Sequence, residues 1–178
     1  MQRFHNLRLM PWSPAFMVVD TVEEAADKIN LIHEDYPERV DITAVAVEAL
    51  VEELHIADQY PVKLHQDLPK AVHQLVFNDQ PWSGHWRGIP VLVGNHRPPN
   101  AEMLEQLMTE LAYYTAIEEQ EDILDWYWDF ETVHPFVDGN GRVGGIILAA
   151  VSKYLWDMYL VPHETYVEGE EDDFNEYM

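Results

Sequence analysis

The amino-acid sequence predicts a mainly helical protein with one short β element. Apolar residues recur at helical spacing in several segments, and capping residues and prolines mark the ends of those segments. Only Ile89–Val93, a short apolar run between Gly88 and Gly94, is typical of a strand or hairpin arm. With 178 residues, 47% of them hydrophobic, the chain can bury the core of one domain.

Local signals place the helices. Residues 1–20 contain Pro11 and Pro14 and are expected to be irregular. Four polar residues are suited to cap helices, because their side chains can accept hydrogen bonds from free N–H groups: Thr21, Asp41, Asp67 and Asn100. Six helices are expected. The first runs from Thr21 to near Pro37, the second starts at Asp41, and the third runs from Asp67 to about Phe77. The fourth starts at Asn100, the fifth covers residues 119–133, and the sixth runs from about Arg142 to Trp156.

The charge balance excludes one class of partner. The chain has 10 Lys and Arg against 33 Asp and Glu, a formal net charge of −23. Because such a surface repels phosphate backbones, we expect no nucleic-acid partner. Three of the few basic residues, Arg87, Arg97 and Arg142, lie in the segments that carry the motifs described below.

The absence of cysteine excludes disulfides and thiolate metal sites. The histidines lack the spacing of a zinc site. Neither an apolar run of 18 residues nor a signal-peptide pattern is present, so we expect no membrane partner and a cytoplasmic location.

One segment, residues 134–142 with the sequence HPFVDGNGR, combines groups suited to phosphate chemistry. Gly139 and Gly141 can adopt positive φ angles and carry no side chains, so backbone N–H groups can face one concavity. That concavity would lie at the N-terminus of the next helix, which favours an anion. Arg142 adds a fork of donors for phosphate oxygens.

Three other residues of the segment complete this chemistry. Asp138 is a hard oxygen ligand, placed to hold Mg²⁺ against the same phosphates. His134, with an ordinary pKa near ~6.5, can accept a proton from an attacking hydroxyl at neutral pH. Phe136 is interpreted as packing inward to fix the loop. Each residue alone would more often be structural, and it is the combination that predicts phosphate-group transfer.

The segment resembles the signature loop of Fic-domain proteins, His-x-Phe-x-Asp/Glu-Gly-Asn-Gly-Arg-x-x-Arg. The similarity extends upstream to Trp82-Ser-Gly-His-Trp-Arg87, Val91-Leu-Val-Gly94 and Pro98-Pro99, so that it covers about residues 65–156. It implies a Fic-type helical core with a short β-hairpin flap. We therefore divide the chain into residues 1–60, an N-terminal accessory segment with helices; residues 61–160, the Fic-type catalytic core; and residues 161–178, an acidic C-terminal tail.

The resemblance also implies an activity, the transfer of a nucleoside monophosphate, usually AMP from ATP with Mg²⁺, to a hydroxyl of a target protein. It implies that His134 is the general base and that Asp138 is the Mg²⁺ ligand. The donor phosphates would be bound by Gly139, Asn140, Gly141 and Arg142. The target protein would dock on the flap, around Gly88 to Arg97, by strand addition.

The chain departs from the family pattern at Gly145, where the motif has its final Arg. In AMP-transferring members that Arg binds the outer phosphate of the donor and pairs with an inhibitory Glu. The inhibitory pattern, Ser/Thr-x-x-x-Glu-Gly/Asn, is approached only by Thr165-Tyr-Val-Glu168-Gly169, which is one residue too short. Inhibition by a separate regulator is therefore one expectation, and the donor need not be ATP.

Several alternatives remain open at this point. The protein can be a phosphotransferase, a phosphocholine-type transferase, or a catalytically silent binding or assembly protein. Intact His134, Asp138 and Arg142 favour an active transferase. Two adjacent glycines, Gly144 and Gly145, are unfavourable in a helix by roughly 1 kcal/mol each. Either the last helix starts later, or something approaches its backbone closely.

Overall fold

A computed structural model describes residues 15–163 of the chain. In chain order its elements are β1 (Ala15–Val19), α1 (Val22–Asn30), α2 (Val40–Ala57), α3 (Leu68–Val76), a 3₁₀ turn (Ala101–Met103), α4 (Leu104–Tyr114), α5 (Gln120–Val133), α6 (Asn140–Trp156) and β2 (Tyr159–His163). The mainly helical fold class is confirmed. None of the helices within this range has the length and apolar character needed to cross a membrane.

Helix α6 lies at the centre of the fold. It contacts α1, α2, α3, α5 and β2. Its residues from Val143 to Ser152 are all buried, in keeping with a sequence that is apolar on every face of the helix. The loop that precedes α6 is therefore anchored to the middle of the core.

The regular sheet has two antiparallel strands, with Ala15 opposite His163 and Val19 opposite Tyr159. Residues 15–19 are thus not irregular as predicted. The prediction failed because the partner strand lies about 140 residues away in the sequence, so no local pattern indicates the pairing. Residues 1–14 and the acidic stretch from Glu164 onward lie outside the described range.

The helices start near the four predicted capping residues, but only one of the four makes the predicted side-chain capping bond. Thr21 caps α1 as predicted, since its Oγ1 accepts from the N–H of Glu24 at 3.1 Å. Asp41 lies one residue inside α2, while Asp67 and Asn100 precede their helical segments without a side-chain capping bond. Helix α1 ends at Asn30, well before its predicted end near Pro37, and residues 31–39 form turns.

The flap region forms a tight turn rather than a regular hairpin. One antiparallel bridge joins Val93 and His96, so Ile89–Val93, predicted as a strand or hairpin arm, forms the arm of this short hairpin but not a regular strand. Prolines explain the difference. Pro90 stands in one limb and the Pro98-Pro99 pair follows the other, and each proline removes a backbone donor that a ladder would use.

Candidate functional site

Residues 134–139 form a loop between α5 and α6, which we call the signature loop. It begins at His134, whose φ is +49° and whose N–H bonds to the carbonyl of Phe130 at 2.9 Å. It ends at Gly139, whose φ is +86°. A Cβ at this position would lie 2.7 Å from Cζ of Phe77, so only glycine fits. Gly141, expected to share this role, lies within α6 and has no positive φ.

The interior of the signature loop is held by Asn140 and Phe136. The side-chain oxygen of Asn140 accepts from the N–H of Phe136 at 2.8 Å, and its Nδ2 donates to the carbonyl of Phe136, also at 2.8 Å. Phe136 is fully buried and stacks on His73 with ring centroids 3.8 Å apart, as its predicted inward role requires. Since the Asn140 side chain is engaged inside the loop, its contribution to donor binding would come from its backbone N–H.

His73 fastens the signature loop to α3. Its Nδ1 lies 2.9 Å from the N–H of Gly84, which can only donate. Nδ1 is therefore the acceptor, and Nε2 carries the proton that it donates to the carbonyl of Asp138 at 2.9 Å. Burial lowers the pKa of His73, which favours this neutral form. Sequence reasoning missed this residue, because its role depends on contacts with two distant loops.

The N-terminus of α6 faces the outside of the loop. By helix geometry, the N–H groups of Asn140, Gly141 and Arg142 have no acceptor within the helix. The space beside Gly141 is open, since the nearest atom to an added Cβ would be Nε2 of His33 at 4.0 Å. These N–H groups and the positive end of the helix dipole are suited to bind an anion, and we call this group the anion cradle.

Arg142, the predicted phosphate ligand, is engaged with protein carboxylates. Its side chain is only 3% exposed and its Nη1 donates to Oδ1 of Asp35 at 2.5 Å. Its Nη2 lies 3.4 Å from Oδ1 of Asp138, and the guanidinium lies 4.6 Å over the ring of Phe77. Burial alone would raise the pKa of Asp35, but hydrogen bonds from Arg142 and Arg39 hold it below its ordinary value. Asp35 is therefore ionised at neutral pH.

Asp35 belongs to the α1–α2 loop, residues 31–39, which lies beside the anion cradle. Arg39 donates to Asp35 within the loop at 2.6 Å and to Asp79, which follows α3, at 3.0 Å. These bonds hold the loop together and attach it to the segment after α3. His33 of the same loop lies near Gly141. Burial, and then the charge of Arg142, lower the pKa of His33. No sequence signal indicated this loop, because Asp35 and Arg142 are separated by 107 positions.

The paired glycines of α6 are explained by close packing. A Cβ on Gly144 would lie 3.0 Å from the ring of Tyr127 in α5, and a Cβ on Gly145 would lie 3.1 Å from Cγ1 of Ile29 in α1. Of the two explanations left open, close approach is correct, and the helix starts as early as Asn140. The position where the family motif has its last Arg is therefore covered by Ile29.

His134 is the predicted general base. Its pKa is lowered to about 4, first by burial and then by the electrostatic influence of Arg87 and of His96, while the Glu131 carbonyl and Asp138 act in the opposite direction. The imidazole is therefore neutral at pH 7 and able to accept a proton.

Asp138 has the most exposed side chain of the predicted site, at 59%. Its Oδ1 accepts from the N–H of Gly139 at 2.7 Å. Within residues 15–163, no group of three or more His, Cys, Asp and Glu is placed to hold a metal ion. Mg²⁺ commonly uses one or two carboxylates together with substrate phosphates, so a single exposed carboxylate beside an anion cradle fits a Mg²⁺ ion that arrives with its donor.

Comparison with known proteins gives a family and two similar folds. The family model for the Fic/DOC family matches residues 63–151, which is half of the chain. The fold is similar to that of a Fic domain-containing signalling protein from Bacteroides thetaiotaomicron, with a TM-score of 0.58 and 14% sequence identity. It is also similar to a Fic family protein from Desulfovibrio desulfuricans, with a TM-score of 0.50 and 21% identity.

These structural matches differ in how much of each protein they include. They cover 86% and 77% of this chain, but only 62% and 44% of the respective solved proteins. The chain thus spans less than two thirds of either, and at these identities the likeness shows the fold. The family model and the fold lead to the same conclusion: the chain belongs to the Fic/DOC family.

Proposed function

We propose that the chain is a protein-modifying transferase that moves a phosphate-linked group, AMP or another nucleoside monophosphate, from a nucleotide donor to a hydroxyl of a target protein. The observation that supports this most is the grouping of neutral His134, exposed Asp138 and the anion cradle within nine residues. Fic/DOC membership supports the general class, a transferase that modifies proteins with nucleotide-linked groups.

The chain's own residues divide the work of such a transfer. The target hydroxyl loses its proton to the His134 imidazole while its oxygen forms a bond to phosphorus. The bond from phosphorus to the leaving group breaks, and for ATP the leaving group is pyrophosphate. The N–H groups of the cradle and Arg142 stabilise the phosphate charge in the transition state. Mg²⁺ held by Asp138 and the donor would neutralise further charge on the phosphates.

We expect Asp138→Ala to remove most of the Mg²⁺ dependence of donor binding, because one carboxylate holds Mg²⁺ only weakly without the phosphates. Titration calorimetry of ATP with and without Mg²⁺ measures this. Asp41→Ala is a matched control, since Asp41 is also an exposed carboxylate near a helix N-terminus. Equal Mg²⁺ dependence in wild type and Asp138→Ala would remove Asp138 from the site.

We expect Asp35→Asn to tighten donor binding by roughly ten- to a hundredfold. A phosphate that approaches Nη1 of Arg142 must displace the Asp35 carboxylate, and a charge-assisted hydrogen bond contributes on the order of 1.5–3 kcal/mol. The measurement is the Kd of ATP and of pyrophosphate by calorimetry.

Asp79→Asn is the control for this experiment. Asp79 accepts hydrogen bonds from Arg39, which also bonds to Asp35, and from Gln80. The control should leave the Kd within about twofold of wild type, which is the scale of a surface charge change. Unchanged affinity in Asp35→Asn would show that the donor does not use this side of Arg142.

The target protein is proposed to dock on the flap, Gly88 to Arg97, as an added strand. Ile89 and Leu92 expose 55% and 66% of their surface there, which leaves apolar side chains available to a partner. We expect Leu92→Pro to lower target modification while sparing donor binding, because proline removes a ladder donor. Leu92→Ala keeps the N–H and separates backbone pairing from side-chain contact. Full modification by Leu92→Pro would contradict strand addition.

A second candidate is a transferase that uses a donor other than a nucleoside triphosphate, such as a phosphocholine-type donor. The packing of Ile29 against Gly145 favours it, because that side chain covers the position of the family's outer-phosphate arginine. A phosphotransferase and a silent binding protein are the remaining alternatives, and a separate regulator stays a prediction. Labelled donors of each class, incubated with the chain, Mg²⁺ and cell lysate, distinguish these candidates.

A further inference from the structure

Arg87 is a buried cation that bonds to main-chain carbonyls. It is 4% exposed. Its Nε donates to the carbonyl of His134 at 2.8 Å, its Nη1 to Ile89 at 3.0 Å, and its Nη2 to Pro99 at 2.6 Å and to Val133 at 3.3 Å.

This arrangement is demanding, because a buried charge is unfavourable unless polar groups surround it. Two of the four carbonyls, those of Val133 and His134, belong to the C-terminal end of α5, where the helix dipole is negative. The guanidinium therefore lies at a favourable electrostatic position. Lysine carries the same charge but presents a compact ammonium, and it does not reproduce a planar fork that reaches four separate acceptors.

The four carbonyls lie on three different parts of the site. Val133 and His134 end the helix that carries the proposed base, Ile89 lies in the first limb of the flap, and Pro99 follows the second limb. The backbone N–H of Arg87 also donates to Pro135 at 2.8 Å. One residue thus connects both limbs of the flap to the start of the signature loop.

We propose that Arg87 is a positioning residue that holds the two limbs of the flap and the main chain of His134 as one unit. A target strand placed on the flap would then present its hydroxyl in a fixed register with the base. This role rests on the proposed function, whereas the coupling of flap and signature loop can be measured without any donor or target.

Arg87 also affects the protonation of the base. The groups that face His134 are Arg87 and His96 from the flap side, the Glu131 carbonyl from α5, and Asp138 from the signature loop. After burial, the charge of Arg87 is the main influence that lowers the His134 pKa. Removal of that charge should raise the His134 pKa, whereas a charge-conserving substitution should keep it low. A purely structural role would not separate the two variants in this way.

The test compares Arg87→Lys and Arg87→Gln with wild type in the full chain, using NMR. We expect Arg87→Gln to raise the His134 pKa toward its ordinary value and Arg87→Lys to leave it low. In both variants the amides of Val93 and His96, which form the flap bridge, should exchange with solvent roughly tenfold faster or more, since charge-assisted hydrogen bonds to both flap limbs are lost. Lys63→Gln, which removes an exposed positive charge, should change neither quantity.

Transfer kinetics then connect the coupling to the reaction. We expect Arg87→Lys to lower kcat by roughly ten- to a hundredfold with donor affinity unchanged, as small displacements of reacting groups do. Unchanged flap exchange in both variants would overturn the proposal whether or not the wild type is active. If exchange and pKa change as expected but the wild type transfers nothing from any donor, the proposed function fails while the coupling stands.

A measurement on the wild type covers the case in which both variants unfold. The Nε–H of Arg87 should then be strongly protected from exchange, compared with the Nε–H of exposed Arg97. Equal exchange of the two groups would show that the guanidinium does not hold the His134 carbonyl, and would overturn the proposal.

Discussion

Replacement of His134 by asparagine should lower the transfer rate by about 10² or more while the protein stays folded, the usual contribution of a general base. Asparagine is chosen because His134 has a φ of +49°, a conformation that asparagine tolerates better than most residues. His134→Ala should lose transfer equally but lose more stability. Rates come from incorporation of labelled donor into a target protein, and unfolding curves report the stability.

The pH profile adds a second check on His134. Because its folded pKa of about 4 lies below the ordinary 6.5, the proton-accepting form persists well below neutral pH. Transfer should therefore show no loss near pH 6.5 that belongs to this group. Between pH 6.5 and 4 His134 binds a proton in the unfolded chain but not in the folded one, so its own contribution to the free energy of unfolding falls as the pH is lowered. Burial raises the pKa of Glu131 to about 7, which contributes in the opposite direction, so the His134 contribution is measured as the difference between wild type and His134→Asn. Near wild-type transfer in His134→Asn would show that another group is the base.

Replacement of Gly139 by alanine should destabilise the protein by about 2–5 kcal/mol. Two effects add: the left-handed conformation is unfavourable for alanine by roughly 1–2 kcal/mol, and overpacking against the Phe77 ring contributes roughly 1–3 kcal/mol. Gly141→Ala is the matched control two residues away. Gly141 lies in α6 beside open space, so alanine should be neutral or stabilising by up to about 1 kcal/mol.

Denaturant unfolding of both glycine variants measures the difference. A destabilised Gly139→Ala beside an unaffected Gly141→Ala would support the conformation of the signature loop, because the two substitutions add the same methyl group. Similar free energies of unfolding for the two variants would contradict it.

The sequence indicated the parts of the site that depend on local chemistry. His134 follows the predicted end of α5 and precedes Pro135, and the helix after Gly139 appears as a long apolar run. The inward position of Phe136 also followed, since a large aromatic side chain in a short loop favours a buried environment. These features depend on residues that are neighbours in the chain, so a local pattern is enough to predict them.

The features that sequence analysis missed depend on distant contacts. Asp35 meets Arg142 across 107 positions, and Ile29 covers Gly145 from a helix whose own pattern does not indicate its partner. The segment Ile89–Val93, predicted as a strand or hairpin arm, forms only the arm of a turn with one bridge. Its apolar composition fits a strand, but Pro90 and the Pro98-Pro99 pair remove donors that regular pairing between the two limbs of the flap would need.

The central claim is that the chain attaches a nucleoside monophosphate covalently to a protein hydroxyl. It is tested most directly with ATP labelled on the α-phosphate or, separately, on the γ-phosphate. Each donor is incubated with Mg²⁺, cell lysate, and either wild type, Asp35→Asn or His134→Asn, and mass spectrometry locates the adduct. We expect α-label on Ser, Thr or Tyr of a target, more of it with Asp35→Asn, and less of it by about 10² or more with His134→Asn. Attachment of the γ-label, or no α-label from any nucleotide donor in either active chain, would contradict the account.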